Sequence, residues 1–561
     1  MRTKLFFLAV LLNSFFTTAT DFYVAPNGSD SNNGTIDSPL ETIQKAQELA
    51  SSGDTVYIRG GEYMMREDQI ARYNSIWAYV TELDKDGINY FSYQNEKPVF
   101  DYQNIKPTDK RVFAFYITGD NIHIKGIDIT GVQVTITQGN TQSECFEING
   151  GSNNIIENVN MYDNMAIGVY ILRGSNNLIL NCDAYRNYDS VSQNGTGGNV
   201  DGFGVHVRNG DVGNVLRGCR AWLNSDDGFD TINSGEPVLI DNCWAFYNGY
   251  SSNDGTLTNI TSRGDGNGFK IGGYGKGGTS YYTILQRYAP IPRNTVQFSI
   301  AAKNKQSGFY ANHHLEGNNW FNNSAFQNRR NYNMLNCKEL NSQDFATDVP
   351  GWNHHLVNNL GFGASTAEIV EIDKPRCILK NNYFDLSVTV NSSDFISTDE
   401  SELASSRNAD GSLPSINFLK LEASSDLIDA GHKLELSEID GIDDFNLNQN
   451  LYNYGGSAPD LGAFELGTLS VNNLFVDKKF INYPNPFNQE TTIIFNLIEN
   501  SKIKIAVYNL LGVKIINIPS TTYQKGKNTF VLEKGRLSSG NYLLIIENNR
   551  GERNTKIISV N

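Results

Sequence analysis

Asn181-Cys182-Asp183-Ala184-Tyr185-Arg186-Asn187 recurs as Gly218-Cys219-Arg220-Ala221-Trp222-Leu223-Asn224, and again as Asn242-Cys243-Trp244-Ala245-Phe246-Tyr247-Asn248. Weaker copies stand at Asn158–Asn164 and Asn322–Asn328. The units recur at intervals of about 23 to 40 residues, and each alternates apolar and polar positions. Short strands plus turns in each repeat, with insertions of variable length, predict a β-solenoid. In such a stack, equivalent residues lie about 4.8 Å apart on successive coils. Cys182, Cys219 and Cys243 are then expected as an inward column, and Asn164, Asn187, Asn224, Asn248 and Asn328 as a turn ladder. Free, stacked thiols are preferred here over disulfides, because Cys often behaves as a small buried hydrophobe.

The composition agrees. Asn is more frequent even than the 51 glycines, and both residues tolerate left-handed backbone at turns. An aromatic content of 11% favours strands between those turns, so a helix bundle is excluded. A formal charge of −16 argues against a nucleic-acid partner, which needs a basic footprint. Residues 1–20 read as a secretory signal: Arg2 and Lys4, the apolar run Leu5–Leu12, then Thr17-Thr18-Ala19-Thr20. No segment is long and apolar enough to span a bilayer. The mature chain is therefore expected to be exported and soluble, as a monomer.

A solenoid needs capped ends. Ser38-Pro39-Leu40-Glu41 predicts the start of a capping helix whose apolar stripe is Leu40, Ile43, Ala46 and Leu49. The far end is expected near Pro459–Glu465, giving a β-helix domain over 21–466 and a linker over 467–476. The remainder, 477–561, is expected to be a small β-sandwich with strands around Thr491–Leu497, Lys502–Tyr508, Asn528–Leu532 and Tyr542–Glu547. With Tyr483-Pro484-Asn485-Pro486-Phe487, Leu510-Leu511-Gly512 and Ser539-Gly540-Asn541-Tyr542, this segment resembles the C-terminal sorting domain of the type IX secretion system of Bacteroidetes. The resemblance implies export through the periplasm to the medium or cell surface by that machinery.

A second repeat carries the chemistry. Asp201-Gly202-Phe203-Gly204, Asp227-Gly228-Phe229-Asp230, Asn267-Gly268-Phe269-Lys270 and Ser307-Gly308-Phe309-Tyr310 align on their Gly-Phe pairs. Asp201 and Asp227 then share one register, and Asp230, Lys270 and Tyr310 another. If the 40-residue interval between Asp227 and Asn267 hides one coil with an excursion, Lys270 lies one rung from Asp230. Asp226 adds a fourth carboxylate. Stacked acids repel one another, and a hard cation with oxygen ligands relieves that repulsion; Ca²⁺ takes six to eight ligands and Mg²⁺ a tighter octahedron.

These motifs resemble polysaccharide lyase family 9, the pectate-lyase-type right-handed parallel β-helix enzymes, over about residues 22–465. The resemblance implies an all-β, right-handed parallel β-helix and one catalytic Ca²⁺ held by Asp201, Asp226, Asp227 and Asp230. It further implies a ligating backbone carbonyl at Thr231 and Lys270 as Brønsted base. The implied activity is β-elimination on an acidic, uronate-containing polysaccharide of pectate or rhamnogalacturonan type, with ulvan and alginate as further options. Weaker candidates for substrate binding are Arg263, His206, Arg208, Tyr310, His313 and His314. Three alternatives remain at this stage: an oligosaccharide dehydratase using the same site, a polygalacturonase-like hydrolase, and a non-catalytic β-helix adhesin. The hydrolase lacks a Gly-His-Gly element here and gives Lys270 no role; the adhesin leaves the Asp and Lys stacking unexplained.

Overall fold

A computed structural model describes residues 19–138, 142–274, 280–340, 344–434, 454, 456–466, 480–497, 500–509, 514–548 and 553–561. The expected signal at 1–20 lies almost wholly outside these residues, as do the linker 467–476 and Leu510-Leu511-Gly512.

Three long sheets of twelve, ten and eleven strands run side by side, parallel apart from the edge strand Arg72–Asn74. The central coils each contribute one strand to each sheet. Leu178–Leu180, Asp183–Tyr185 and Phe203–Val205 form one coil; Val215–Arg217, Arg220–Trp222 and Phe229–Asp230 form the next. Strands of three residues suffice because every backbone group pairs with the coils above and below. Phe203, Phe229, Phe269, Phe309 and Tyr332 stack inside the eleven-stranded sheet with ring centroids 4.8–5.1 Å apart. Cys182, Cys219 and Cys243 are fully buried, and none of the six cysteines forms a disulfide, as the column reading expected.

The asparagine ladder is present and longer than expected. Each Asn Nδ2 donates to the Oδ1 of the next rung through Asn164, Asn187, Asn224, Asn248, Asn304 and Asn328, at 2.9–3.1 Å. The residue before each rung (Asp163, Arg186, Leu223, Tyr247, Lys303, Gln327) has a φ of 49–56°. The ladder amides hold that left-handed turn even where the residue is Leu or Tyr, which is otherwise unfavourable.

The capping helix starts later than expected, at Ile43–Leu49, with the Thr42 hydroxyl accepting from the Lys45 amide. Ser38-Pro39 is not its first turn. Leu40 is drawn into a parallel bridge with Val24, and Asp30 accepts from the amides of Glu41 and Thr42. Ile43 and Ala46 are buried against the first coils, whereas Leu49 is exposed.

At the far end, the Gly431 amide bonds Pro459 O, and the Gly462 amide bonds Asn358 O. Before that, residues 391–430 return along the ten-stranded sheet, which the repeat pattern did not announce. Arg220 and Arg407 both grip the buried Asp183 carboxylate, at 2.6 Å each. Arg220 also donates to Leu403 O and Ser405 O, tying the return segment to the coils.

The C-terminal part has a core of its own between a three-stranded and a four-stranded antiparallel sheet. All four expected strands are present, joined by Ile481–Tyr483, Lys514–Tyr523 and Arg553–Val560.

Candidate active site

The interval between Phe246 and Phe269 is one coil with an excursion, the hairpin Tyr250–Ser252 and Ile260–Ser262. Asp230 therefore pairs in register with Lys270, and Lys270 with Tyr310. Glycine before each Phe is required by close approach: a Cβ on Gly228 would stand 2.6 Å from Gly268 O, and one on Gly268 2.7 Å from Gly308 O. That tight stacking brings the flanking polar side chains onto adjacent rungs.

One column is a polar ladder. Asp201 Oδ1 accepts from the Asp227 amide (3.0 Å), Asp227 Oδ1 from the Asn267 amide (2.6 Å), and Asn267 Oδ1 from the Ser307 amide (3.1 Å). Each aspartate thus spends one oxygen on the fold and keeps the other for the site. Lys270 Nζ lies 3.0 Å from Asp227 Oδ2 and 3.0 Å from Asp230 Oδ2. Asp227 Oδ2 is buried and receives no well-directed hydrogen bond. Carboxylate oxygens of Asp201, Asp227 and Asp230 lie within 4.8 Å of one another. Asp226 is buried beside them, its oxygens accepting from the Asn199 and Asp265 amides at 2.7 Å each. Thr231 is buried; its hydroxyl accepts from the Gly272 amide and its carbonyl from the Ser234 amide.

The electrostatics follow from crowding. Burial and then the neighbouring acids push Asp201 well above the usual carboxylate range. Burial likewise raises Asp226, and raises Asp227 to about 7 despite the nearby ammonium. For Lys270, burial favours the neutral form, but Asp227, Asp230, Asp226 and Asp201 together outweigh it and hold the proton well above the ordinary lysine value. Bound to nothing else, the lysine is the acids' counter-ion. A hard cation suits this set: all-oxygen donors, one of them a buried oxygen without a hydrogen bond.

The weaker candidates separate. Tyr310 sits on the rung after Lys270. His206 meets the Tyr170 hydroxyl through Nδ1 at 3.0 Å and has a buried Nε2 without a partner; burial lowers its pKa. Arg263 is committed to its hairpin, with Nε donating to Ser251 Oγ and the guanidinium 4.3 Å from the Tyr188 ring centroid. Arg208 is exposed. His313 lines a 220 Å³ pocket with Lys270, Asp265 and Asn312. His314 is not a groove residue: it is fully buried, Nδ1 accepting from the Gly273 amide and Nε2 facing Pro292 O at 2.8 Å. The Gly272-Gly273 turn packs on its ring, so His-His in sequence puts one side chain out and the next in. Sequence reasoning gave Asn267 no role, although it occupies the register of Asp227 in the repeat. It also passed over Glu147 and Tyr170, which continue the Asp230 column through Gly204, because their coils lack the Gly-Phe pair.

Residues 22–344 match the family described as Pel9A-like, right handed beta helix region, and residues 482–561 match the secretion system C-terminal sorting domain. The chain is 33% identical over 460 residues to pectate lyase L of Dickeya dadantii, covering 81% of this chain and 92% of that protein. Among solved structures, a rhamnogalacturonan lyase is 43% identical with a TM-score of 0.67, covering 72% of this chain and 97% of that one. The pectate lyase Pel9A structure is 30% identical with a TM-score of 0.60, covering 80% and 97%.

Proposed function

Because the chain belongs to the Pel9A-like right-handed β-helix family of polysaccharide lyases, we propose that it cleaves a uronate-containing polysaccharide by β-elimination with Lys270 as base. The observation that carries this reading is the in-register pair Asp230–Lys270, with Lys270 Nζ 3.0 Å from two buried carboxylates. Its sorting domain marks it for secretion or the cell surface, and a division into 21–466 and 477–561 is part of this reading, supported by the two separate cores. Lyase relatives set aside the hydrolase and adhesin alternatives. Of the substrates, a rhamnogalacturonan backbone is favoured over pectate, on the higher identity to the rhamnogalacturonan lyase.

Asp201, Asp226, Asp227 and Asp230, with the Thr231 carbonyl, would hold Ca²⁺. When bound, that ion supplies positive charge against the negative charge that builds on the substrate carboxylate. Lys270 takes the C5 proton of the uronate, the C4–O bond breaks, and an unsaturated uronate remains on the new end. A lysine does this only when neutral. Lys270 therefore acts from its neutral form, which a cation held by the surrounding acids would favour.

The test is a substrate panel: rhamnogalacturonan, polygalacturonate, alginate and ulvan, read by the ultraviolet absorbance of the new double bond and by product mass. Products lighter by one water than hydrolytic ones, formed on rhamnogalacturonan or pectate, support the reading. Loss of water from a chain end without shortening the polymer points instead to the dehydratase. Products of hydrolytic mass overturn both.

A further inference from the structure

A second cluster of metal-ligating side chains adjoins the Lys270 pocket, which two of its three members, His313 and Cys337, line. His313 stands in the turn after the strand Ser307–Tyr310, with a φ of 55°. Cys337 and Asp348 are direct partners across the antiparallel pair Asn336–Cys337 and Asp348–Val349. A parallel bridge between His314 and Asn336 brings the turn alongside that pair. Backbone pairing therefore converges three residues that are 24 and 11 positions apart in sequence. His313 Nδ1 lies 2.6 Å from Asp348 Oδ1, and Cys337 Sγ lies 3.9 Å from the same oxygen. All three donor atoms fall within 4.8 Å of one another.

The donor set differs in kind from the aspartate cluster. Oxygen ligands suit Ca²⁺, whereas a thiolate, an imidazole and a carboxylate suit a borderline-soft ion such as Zn²⁺. A tetrahedral zinc with bonds of about 2.0–2.3 Å keeps its ligand atoms roughly 3.3–3.8 Å apart, so only small side-chain movements separate this trio from that spacing. Cys337 is buried, His313 half-buried and Asp348 exposed, and His313 and Cys337 both line the 220 Å³ pocket. Three protein ligands leave a fourth position for a water or a substrate oxygen, the arrangement of an open zinc site.

We propose that His313, Cys337 and Asp348 form a zinc-class metal site on the wall of the Lys270 pocket, separate from the aspartate cluster. Metal binding here is read without lyase activity, so it stands or falls independently of the role given to Lys270.

The experiment uses the full-length protein, stripped with a chelator and titrated with Co²⁺, a spectroscopic substitute for Zn²⁺. The proposal expects a thiolate-to-cobalt charge-transfer band that saturates at one ion per chain and is displaced by Zn²⁺. The band should vanish in Cys337→Ser, survive in Asp227→Asn, and require roughly tenfold or more Co²⁺ in His313→Ala. No band in the unaltered protein, or a band that survives Cys337→Ser, overturns it. Should Cys337→Ser fail to fold, the partly exposed His313→Ala carries the test, and an unchanged Co²⁺ affinity there overturns it.

Discussion

At the scale of single residues, the site rests on a division of labour within each aspartate. One oxygen of Asp201 and one of Asp227 are consumed by the ladder, and the other is left to the site. Lys270→Ala is expected to lower turnover by about 10²–10⁴-fold, the usual range for a proton-transferring group, while the far-ultraviolet circular dichroism stays unchanged. The pH dependence follows from the same residue. Only neutral Lys270 is competent and its ordinary value is about 10.4; the surrounding acids raise it further, and a cation held by those acids would offset that rise. Activity should therefore climb with pH through the alkaline range, and an optimum below about pH 7 would count against Lys270 as base. The acids and the lysine were legible in sequence because they repeat against a fixed Gly-Phe frame. His314 was misread because adjacent residues on a turn face opposite ways, which repeat alignment does not encode.

At the scale of elements, the coils are held by buried side-chain columns as much as by strand pairing. Asn224 donates to Asn248 and to Ala184 O, and accepts from Asn187. Asn224→Ala leaves several of those buried partners unsatisfied and should cost about 2–4 kcal/mol, read as a lower denaturant midpoint. The return segment 391–430 hangs on a different device, the buried Asp183 between Arg220 and Arg407. Burial alone would raise Asp183, but the two guanidiniums more than offset it and hold it below the ordinary aspartate value. The folded value being depressed, this contribution is complete above the unfolded aspartate value and is lost as pH falls through the folded one. Asp183→Asn should therefore destabilise the protein strongly at neutral pH, with the deficit shrinking in acid, as thermal melts at several pH values would record. The ladder could be read in sequence from its period. The return segment could not, since Arg407 lies 224 positions from Asp183 and outside any repeat.

At the scale of the whole molecule, the coils and the tail each have a hydrophobic core of their own. The two meet where Ile557 packs on the outer stripe Ile155, Leu178, Val215 and Leu239, where Asn541 reaches Asn153 O, and where Ser539–Asn541 and Ser559–Asn561 face Ser51–Asp54 and Asn121. A chain ending at residue 466 is expected to fold and keep its lyase activity within about twofold while losing export, measured as activity in the medium against activity in the cells. The charge of −16 gains a meaning at this scale as well. It first argues against polyanions in general, yet part of it is the cluster that would hold a cation and so reverse the local sign where a substrate carboxylate binds. The measurement that bears most directly on this account is the initial rate of unsaturated-uronate formation across one Ca²⁺ titration, run in parallel for the unaltered protein and Lys270→Ala. The account predicts a rate that rises from near zero to saturation with Ca²⁺ in the former and stays flat in the latter. A Ca²⁺-independent rate, or a Lys270→Ala variant that keeps pace, would contradict it.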